Sequence, residues 1–310
     1  DQMTSSIENG QTSPQSPPTP HPPIPVSHVP ETAANTLHIL LIEDNPIALK
    51  VLESIVTGAG YQLTTAADGE QALALAKSGK FDLIITDIGL SGISGNELTH
   101  FIREWEKENA LKNSPIIGLT GHARDAAMAE CLESGMNDVF TKPASLAMIQ
   151  EIVNKFILRQ PSPDTPSNSK ATPASSGKLG VDLPDTEDAL FELESFPVFD
   201  PKYGLQQIND LALLMEIWKA YLSDEMQNDV VLMKKAYAKK DWEEVERLAH
   251  KIKGGVCYGT RRLFYACQYL ERYYKAGHRT LLEKLYHQVL DVNTKTLATL
   301  TEWLGKYSKK

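Results

Sequence analysis

The sequence predicts an α/β domain with a doubly wound, five-stranded parallel sheet, followed by a separate all-α up-down helical bundle. In residues 37–159, apolar strand-like runs alternate with helical patterns. Residues 197–310 show helical periodicity without comparable strands. The stretches outside these two blocks are rich in proline, with eight prolines in residues 1–36 and five in 160–184.

The first block repeats a strand-like run and a helical pattern five times. Such alternation predicts a parallel sheet that is covered by helices on both faces. The predicted strands are 37–42, 62–66, 82–86, 116–120 and 139–141, and the predicted helices are 46–58, 69–79, 95–109, 123–134 and 145–158.

The second block has the pattern of antiparallel helices. Its helical stretches are joined by short connections, which favour neighbours that run up and down. The predicted helices are 205–238, 241–258, 262–276 and 280–305.

The remaining stretches, 1–36 and 160–196, are predicted to be disordered linkers. They combine proline with Ser, Thr, Asn and Gln, and such a composition buries too little apolar surface to offset the entropy of ordering. The net charge of −9 is uneven, because 37–159 carries −6 and 197–310 carries +5. This asymmetry supports two distinct modules.

Composition also limits the cellular setting. The three cysteines show no metal-binding spacing and are expected to be reduced thiols of a cytoplasmic protein. No apolar run approaches the ~20 residues of a membrane span. Because the first residue is Asp1 rather than Met, we expect a piece of a larger protein, either free or membrane-tethered through a missing N-terminal part.

Polar residues stand at the ends of four predicted strands. Glu43 and Asp44 follow the first, Asp87 follows the third, Thr120 ends the fourth and Lys142 follows the fifth. Because parallel strand ends meet at one sheet edge, we expect these side chains to converge. Paired acids suit Mg²⁺, a carboxylate can attack phosphorus, and a lysine and a hydroxyl can hold phosphoryl oxygens. Taken alone, 43–46 would also suit a helix cap.

Residues 37–158 resemble a response-regulator receiver domain, through Glu43, Asp44, Asp87, Thr120 and the pair Lys142-Pro143. The segment 133–138 is similar to receivers of hybrid sensor kinases. The resemblance implies a flavodoxin-like fold with Asp87 as the phosphoryl acceptor. It also implies Mg²⁺ on Asp44 and Asp87, with Glu43 helping through water and the Gly89 carbonyl completing the shell.

The first block departs from that family at three places. Leu90-Ser91 stands where the family has Met-Pro, and Gly121 stands where alanine is usual. Val139 replaces an aromatic residue that couples to the Thr on phosphorylation. This last departure favours a relay over an output switch.

His250 is the candidate site of the second block. Its helix has an apolar stripe that includes Leu248, Ala249 and Ile252, and His250 falls off this stripe, so we expect it to face solvent. Lys253 and Gly254 lie three and four residues on, adjacent to His250 on the helix surface. Lys253 can balance phosphoryl charge, and the pair of glycines at 254–255 disfavours helix but leaves space for a partner. A neutral imidazole is available at cytoplasmic pH.

The run 249–255, with His250, Lys253 and Gly254, is close to the His-x-x-Lys-Gly core of histidine phosphotransfer (HPt) domains. Together the two resemblances imply the C-terminal part of a hybrid sensor histidine kinase. His122, which follows the strand end at Thr120, could line the rim of the receiver site, but a surface loop is favoured.

Phosphorelay is the leading functional hypothesis. A phosphoryl group would arrive at Asp87 from an upstream histidine kinase, pass to His250 and leave to the receiver of a downstream response regulator. No ATP-binding kinase domain, membrane segment or nucleic-acid motif is recognised, and the linker would allow an intramolecular receiver–HPt contact. The alternatives are a phosphorylation-controlled binding or DNA-binding regulator and an acid-pair phosphohydrolase.

Overall fold

The computed structural model describes residues 37–122, 124–159 and 176–307. The predicted linker over 1–36 and the first part of the second one, 160–175, lie outside these residues. The described chain forms a sheet domain (37–159) and a helical domain (176–307), which pack against each other. No helix among the described residues is both long and apolar enough to span a membrane.

The sheet domain alternates five strands with five helices, and each begins within one residue of its predicted start. The elements are β1 (His38–Ile42), α1 (Pro46–Gly58), β2 (Gln62–Ala66), α2 (Gly69–Ser78), β3 (Leu83–Asp87), α3 (Gly95–Glu108), β4 (Ile116–Thr120), α4 (Arg124–Ser134), β5 (Asp138–Thr141) and α5 (Leu146–Val153), which continues as a π-helical turn over Asn154–Leu158.

All strand pairs of this sheet are parallel, in the order β2-β1-β3-β4-β5. Every residue of β3 and β4 is buried, as expected for strands that helices cover on both faces. The predicted α/β class is therefore confirmed. The strand order reverses between β1 and β3, and open α/β sheets bind ligands at such a switch point.

The helical domain confirms the predicted all-α class, but the single helical pattern over 205–238 is wrong. Asn209, with φ 56°, ends one helix, and Asp210 and Ser223 cap the next two with their side chains. The helices are α6 (Pro201–Ile208), α7 (Leu211–Tyr221), α8 (Asp224–Ala238), α9 (Trp242–Gly255), α10 (Arg261–Lys275) and α11 (Leu282–Gly305).

The predicted disorder of 160–196 is wrong for its second half. This half contains a short hairpin of Ser176–Gly177 and Gly180–Val181 and a 3₁₀ turn at Asp188–Phe191. Three of its leucines are buried in the core of the helical domain: Leu183, Leu190 and Leu193. The average composition of the stretch misled the prediction, because most of its prolines precede these apolar residues.

Helix α1 joins the two domains. Its side chains Ile47 and Val51 are buried within the core cluster of the helical domain. At its N-terminus the Asn45 side chain accepts hydrogen bonds from two backbone N–H groups of α1 and donates one to the Lys251 carbonyl at 2.7 Å. The apolar contact and this hydrogen bond set the end of β1 against α9.

Candidate functional site

The predicted strand-end side chains converge at the switch point of the sheet. Ile42 pairs with Thr86 in the register of β1 and β3, so the residues that follow are neighbours. Carboxylate oxygens of Glu43, Asp44 and Asp87 lie within 4.8 Å of one another. The Lys142 ammonium lies 2.6 Å from Glu43 Oε2 and 3.0 Å from Asp87 Oδ2.

Burial and charge set unequal protonation in this cluster. Burial, reinforced by the charges of Asp87 and Asp44, raises the pKa of Glu43 to about 7, although Lys142 opposes the rise. Burial would also raise the pKa of Asp87, but the Lys142 ammonium and then His250 hold it below its ordinary value. Asp87 is therefore an ionised carboxylate at neutral pH, which is the form that can act as a nucleophile.

The acid cluster fits a magnesium ion. It offers hard oxygen donors from three carboxylates at one edge, and Mg²⁺ prefers such ligands together with waters and phosphate oxygens. The Gly89 N–H donates to Asp87 Oδ1 at 3.1 Å, which fixes the loop whose carbonyl the receiver resemblance implies as a further ligand.

Thr120 lies at the end of β4 and is 3% exposed. Its hydroxyl oxygen accepts a hydrogen bond from the backbone N–H of His122 at 3.1 Å, and its carbonyl accepts one from the Lys142 N–H at 2.7 Å. The hydroxyl keeps its own hydrogen to donate. Thr120 thus sits at the predicted edge but does not line the small cavity between Asp87 and His250.

His250 lies on α9 against the sheet domain, so the expectation that it faces solvent is wrong. Its side chain is 19% exposed, and its Nδ1 lies 2.9 Å from Glu271 Oε1. The other nitrogen, Nε2, faces the loop after Asp87, because a Cβ added to Gly89 would lie 2.1 Å from it. A cavity of about 20 Å³ remains at this contact, room for about one water molecule.

Lys253 is also buried rather than on the surface, at 2% exposed. Its ammonium lies 2.5 Å from Glu271 Oε2. Burial disfavours the charge on Glu271, but Lys253 and then His250 hold the pKa of this carboxyl well below its ordinary value. Lys253 and His250 are therefore held by one buried carboxylate on α10.

Of the two glycines after Lys253, only Gly255 lies where the domains approach too closely for a side chain. A Cβ at Gly255 would lie 2.8 Å from both polar atoms of the Asn45 side chain. At Gly254 the nearest atom would be Asn45 Cβ at 3.7 Å, an ordinary contact. Gly255 is thus the position where a side chain would push the two domains apart.

Ser91, one of the departures from the family pattern, bridges the domains. Its N–H and hydroxyl both donate to Asp44 Oδ2, at 3.2 and 2.9 Å. The hydroxyl oxygen accepts a hydrogen bond from Arg247 at 2.8 Å. A proline at this position would have neither the N–H nor the hydroxyl, so this link between the acid cluster and α9 depends on the departure.

Sequence reasoning missed Glu271 and Arg247 and misplaced His122. Glu271 carried a usable signal, because it follows Cys267 and Leu270 on the buried face of α10 and a buried acid needs a partner. Arg247 carried a signal only for its pairing with Glu244 on the same helix, because Ser91, which it contacts in the receiver domain, is 156 residues away. His122 was assigned to a surface loop but lies in the domain interface, with Nε2 2.9 Å from Glu271 Oε1.

Comparison with protein families identifies both domains. The family described as Response regulator receiver domain matches residues 39–154, and the family described as Hpt domain matches residues 218–302. The chain therefore joins a receiver domain to an Hpt domain. These domains carry phosphoryl groups in phosphorelay signal transduction, and the chain is assigned to that process.

Relatives of this receiver–Hpt chain include long sensor proteins. The sensor protein GacS of Pseudomonas syringae pv. syringae is 27% identical over 246 residues, which are 78% of this chain and 25% of that protein. The virulence sensor protein BvgS of Bordetella pertussis is 29% identical over 222 residues, 71% of this chain and 17% of that protein. The chain thus spans a quarter or less of the length of these two relatives.

Solved structures that are similar to this chain include the receiver domain of a sensor histidine kinase from Pseudomonas aeruginosa, with a magnesium ion coordinated in its active site cleft. It is 36% identical and covers 39% of this chain and 96% of that chain, with a TM-score of 0.35.

Proposed function

We propose that a phosphoryl group passes within this chain from Asp87 of the receiver domain to His250 of the Hpt domain. The observation that carries the proposal is the docked arrangement, in which His250 Nε2 faces the Gly89 backbone next to Asp87. Asp87 and His250 line the same small cavity, together with Lys142 and Lys253. Donor and acceptor are therefore already close, which lowers the entropic cost of reaction.

The proposed transfer step forms one bond, between phosphorus and His250, and breaks one, between phosphorus and Asp87. His250 Nε2 donates its lone pair to the phosphorus of phosphorylated Asp87, the P–O bond to Asp87 breaks, and its electron pair returns to the carboxylate. Glu271 accepts from Nδ1, which keeps the hydrogen on that nitrogen and the lone pair on Nε2.

Positive charge around the cavity would stabilise the transferring group. Lys142 contacts Asp87 directly, and Lys253 lines the same cavity. A magnesium ion held by Asp44, Asp87 and the Gly89 carbonyl, with Glu43 helping through water, would supply further charge to the phosphoryl oxygens. The Thr120 hydroxyl is proposed to donate to one of these oxygens.

The proposed partners lie on either side of this step. An upstream histidine kinase would load Asp87, and the receiver of a downstream response regulator would accept the phosphoryl group from His250. Because the chain's own receiver covers His250, it must undock before a separate receiver can reach Nε2. The reverse direction is chemically equivalent.

The proposed function is tested by following labelled phosphoryl groups over time in the full chain. With labelled acetyl phosphate, wild type should show label first on Asp87 and then on His250, at a rate independent of protein concentration. Asp87→Ala should remain unlabelled, and His250→Gln should hold label on Asp87 only. Label reaching His250 in the Asp87→Ala protein would contradict the order of transfer, and a rate proportional to concentration would contradict transfer within one chain.

Magnesium binding should depend on pH through Glu43. Because its pKa is about 7 in the metal-free site, Glu43 is mostly protonated at pH 6 and mostly ionised at pH 8. Metal ligands must be deprotonated, so Mg²⁺ should bind about tenfold more tightly at pH 8 than at pH 6. Calorimetric titration checks this, and Glu43→Gln should remove the pH dependence. Equal Mg²⁺ affinities at both pH values in wild type would contradict this pH dependence. Acetyl phosphate loading of Asp87 in excess chelator would contradict the magnesium site itself.

A further inference from the structure

A second contact between the receiver and Hpt domains lies outside the phosphoryl cavity. It involves the segment 178–196, here called the arm, which precedes the Hpt helices. The arm is fixed on the Hpt domain by its buried leucines and by the Arg272 side chain, which donates to the Val181 carbonyl at 3.2 Å. At Asp182 the backbone has φ 59°, a left-handed conformation that Asp adopts more readily than most residues.

The receiver side of this contact is His122, in the loop after β4. Its Nδ1 lies 3.3 Å from Asp182 Oδ2, and its Nε2 lies 2.9 Å from Glu271 Oε1. The side chains of His122 and Asp182 are each only 15% exposed. The backbone N–H of His122 donates a hydrogen bond to Thr120 Oγ1. The loop that carries the His122 ring is therefore fixed to the edge of the sheet.

The contact depends on which receiver is docked. Asp182 and Glu271 are carboxylates of the Hpt domain, and the docked receiver supplies the ring that both of them contact. A buried carboxylate that loses a hydrogen-bond donor keeps its desolvation cost. A receiver without a ring at this position would deprive Glu271 of a hydrogen-bond donor and Asp182 of a polar neighbour at 3.3 Å.

Glu271 Oε1 also accepts a hydrogen bond from His250 Nδ1. His122 therefore contacts the same carboxylate oxygen that orients His250, the phosphoryl acceptor. The contact with Asp182 has no such link to the phosphoryl cavity. The two contacts can therefore be separated experimentally: an Asp182 variant tests docking alone, and a His122 variant tests docking together with the setting of Glu271.

We propose that His122 and Asp182 form a recognition contact by which the Hpt domain selects the receiver of its own chain over separate receivers. This inference rests on the proposed transfer between Asp87 and His250. Its consequence is competition: the receiver of the same chain, held by His122, limits access of any other receiver to His250.

The test uses full-length chains in two assays with opposite expected signs. In otherwise wild-type protein, His122→Ala and Asp182→Asn should each slow transfer from Asp87 to His250 about fivefold, the scale of one modest polar contact. The double variant should be no slower than the slower single variant, because each substitution removes the same His122–Asp182 contact. Asn at 182 tolerates the left-handed backbone, so the change is confined to charge.

The second assay measures transfer between chains. Asp87→Ala protein is the acceptor, and His250→Gln protein, labelled at Asp87 with acetyl phosphate, is the donor. Adding His122→Ala to the acceptor should raise labelling of its His250 about fivefold, since its own receiver no longer competes while the donor's receiver keeps His122. Adding Asp182→Asn to the acceptor should not raise it, because the incoming receiver loses the same contact.

Matched controls are His100→Ala, an exposed histidine paired with Glu104 in its own helix, and Asp185→Asn, an exposed acid of the arm. Both should leave the two assays unchanged. A general loss of folding would lower both assays, so only opposite signs support the recognition contact. Unchanged transfer in the His122 and Asp182 variants in both assays would overturn the recognition contact and leave the proposed function standing. Absence of any label on His250 in every protein would overturn both.

Discussion

Replacing Gly89 by alanine is expected to stop transfer from Asp87 to His250 while Asp87 still accepts a phosphoryl group from acetyl phosphate. The added Cβ would lie 2.1 Å from His250 Nε2 and 2.7 Å from Cε1, far closer than atoms can pack. The ring cannot swing aside without breaking its contact with Glu271. Because a displacement of about 1 Å can cost about a hundredfold in rate, transfer should fall by at least that factor.

The backbone and the loading site should survive this change. Gly89 does not have a positive φ, so alanine is compatible with its backbone, and the carbonyl remains available to a metal ion. Gly121→Ala is the matched control, since its Cβ would lie 3.6 Å from Lys253 Cε, an ordinary contact. Phosphoryl transfer in Gly121→Ala should stay close to wild type. Transfer at the wild-type rate in Gly89→Ala would show that the docked arrangement is not the reactive one.

Replacing Glu271 by alanine is expected to cause a large loss of stability in the Hpt domain. The substitution leaves the Lys253 ammonium buried at 2% exposure without the carboxylate that it contacts. Breaking a buried ion pair by removing one partner costs about 3–5 kcal/mol, which urea unfolding followed by circular dichroism would measure. The same change removes the group that holds His250 Nδ1, so transfer should fall as well.

The stabilisation by Glu271 should also depend on pH. Its folded-state pKa lies well below the ordinary value of 4.5. The contribution is therefore complete above the unfolded-state pKa and is lost as the pH falls toward the folded-state pKa. Wild type should lose stability in acid more steeply than Glu271→Ala.

A double variant separates the two roles of Glu271. In Glu271→Leu with Lys253→Met, no ammonium is left buried at this position, and most of the lost free energy of unfolding should return. Phosphoryl transfer should stay slow, because His250 still lacks its acceptor at Nδ1 and the cavity now lacks the Lys253 ammonium. Recovery of both stability and transfer would contradict the assignment of Glu271 as the residue that orients His250.

Local patterns determined much of the fold and half of the site. The strands, the helices of the sheet domain and the placement of Glu43, Asp87 and Lys142 follow from runs of neighbouring residues, because parallel strands bring their ends to one edge whatever covers the sheet. Helical periodicity and composition averaged over longer stretches predicted the structure less well. They merged three helices into one over 205–238 and hid the buried leucines of the arm.

The sequence by itself determined an acid cluster at a sheet edge, a histidine on a second domain, and the two families that carry them. Only the tertiary structure decided where that histidine points. Its setting depends on Glu271, 21 residues away, and on Gly89 in the other domain. Contacts between surfaces so distant along the chain leave no periodic pattern. A position off an apolar stripe looks the same whether water or another domain covers it. The sequence therefore predicted an exposed His250, whereas the fold leaves its side chain only 19% exposed.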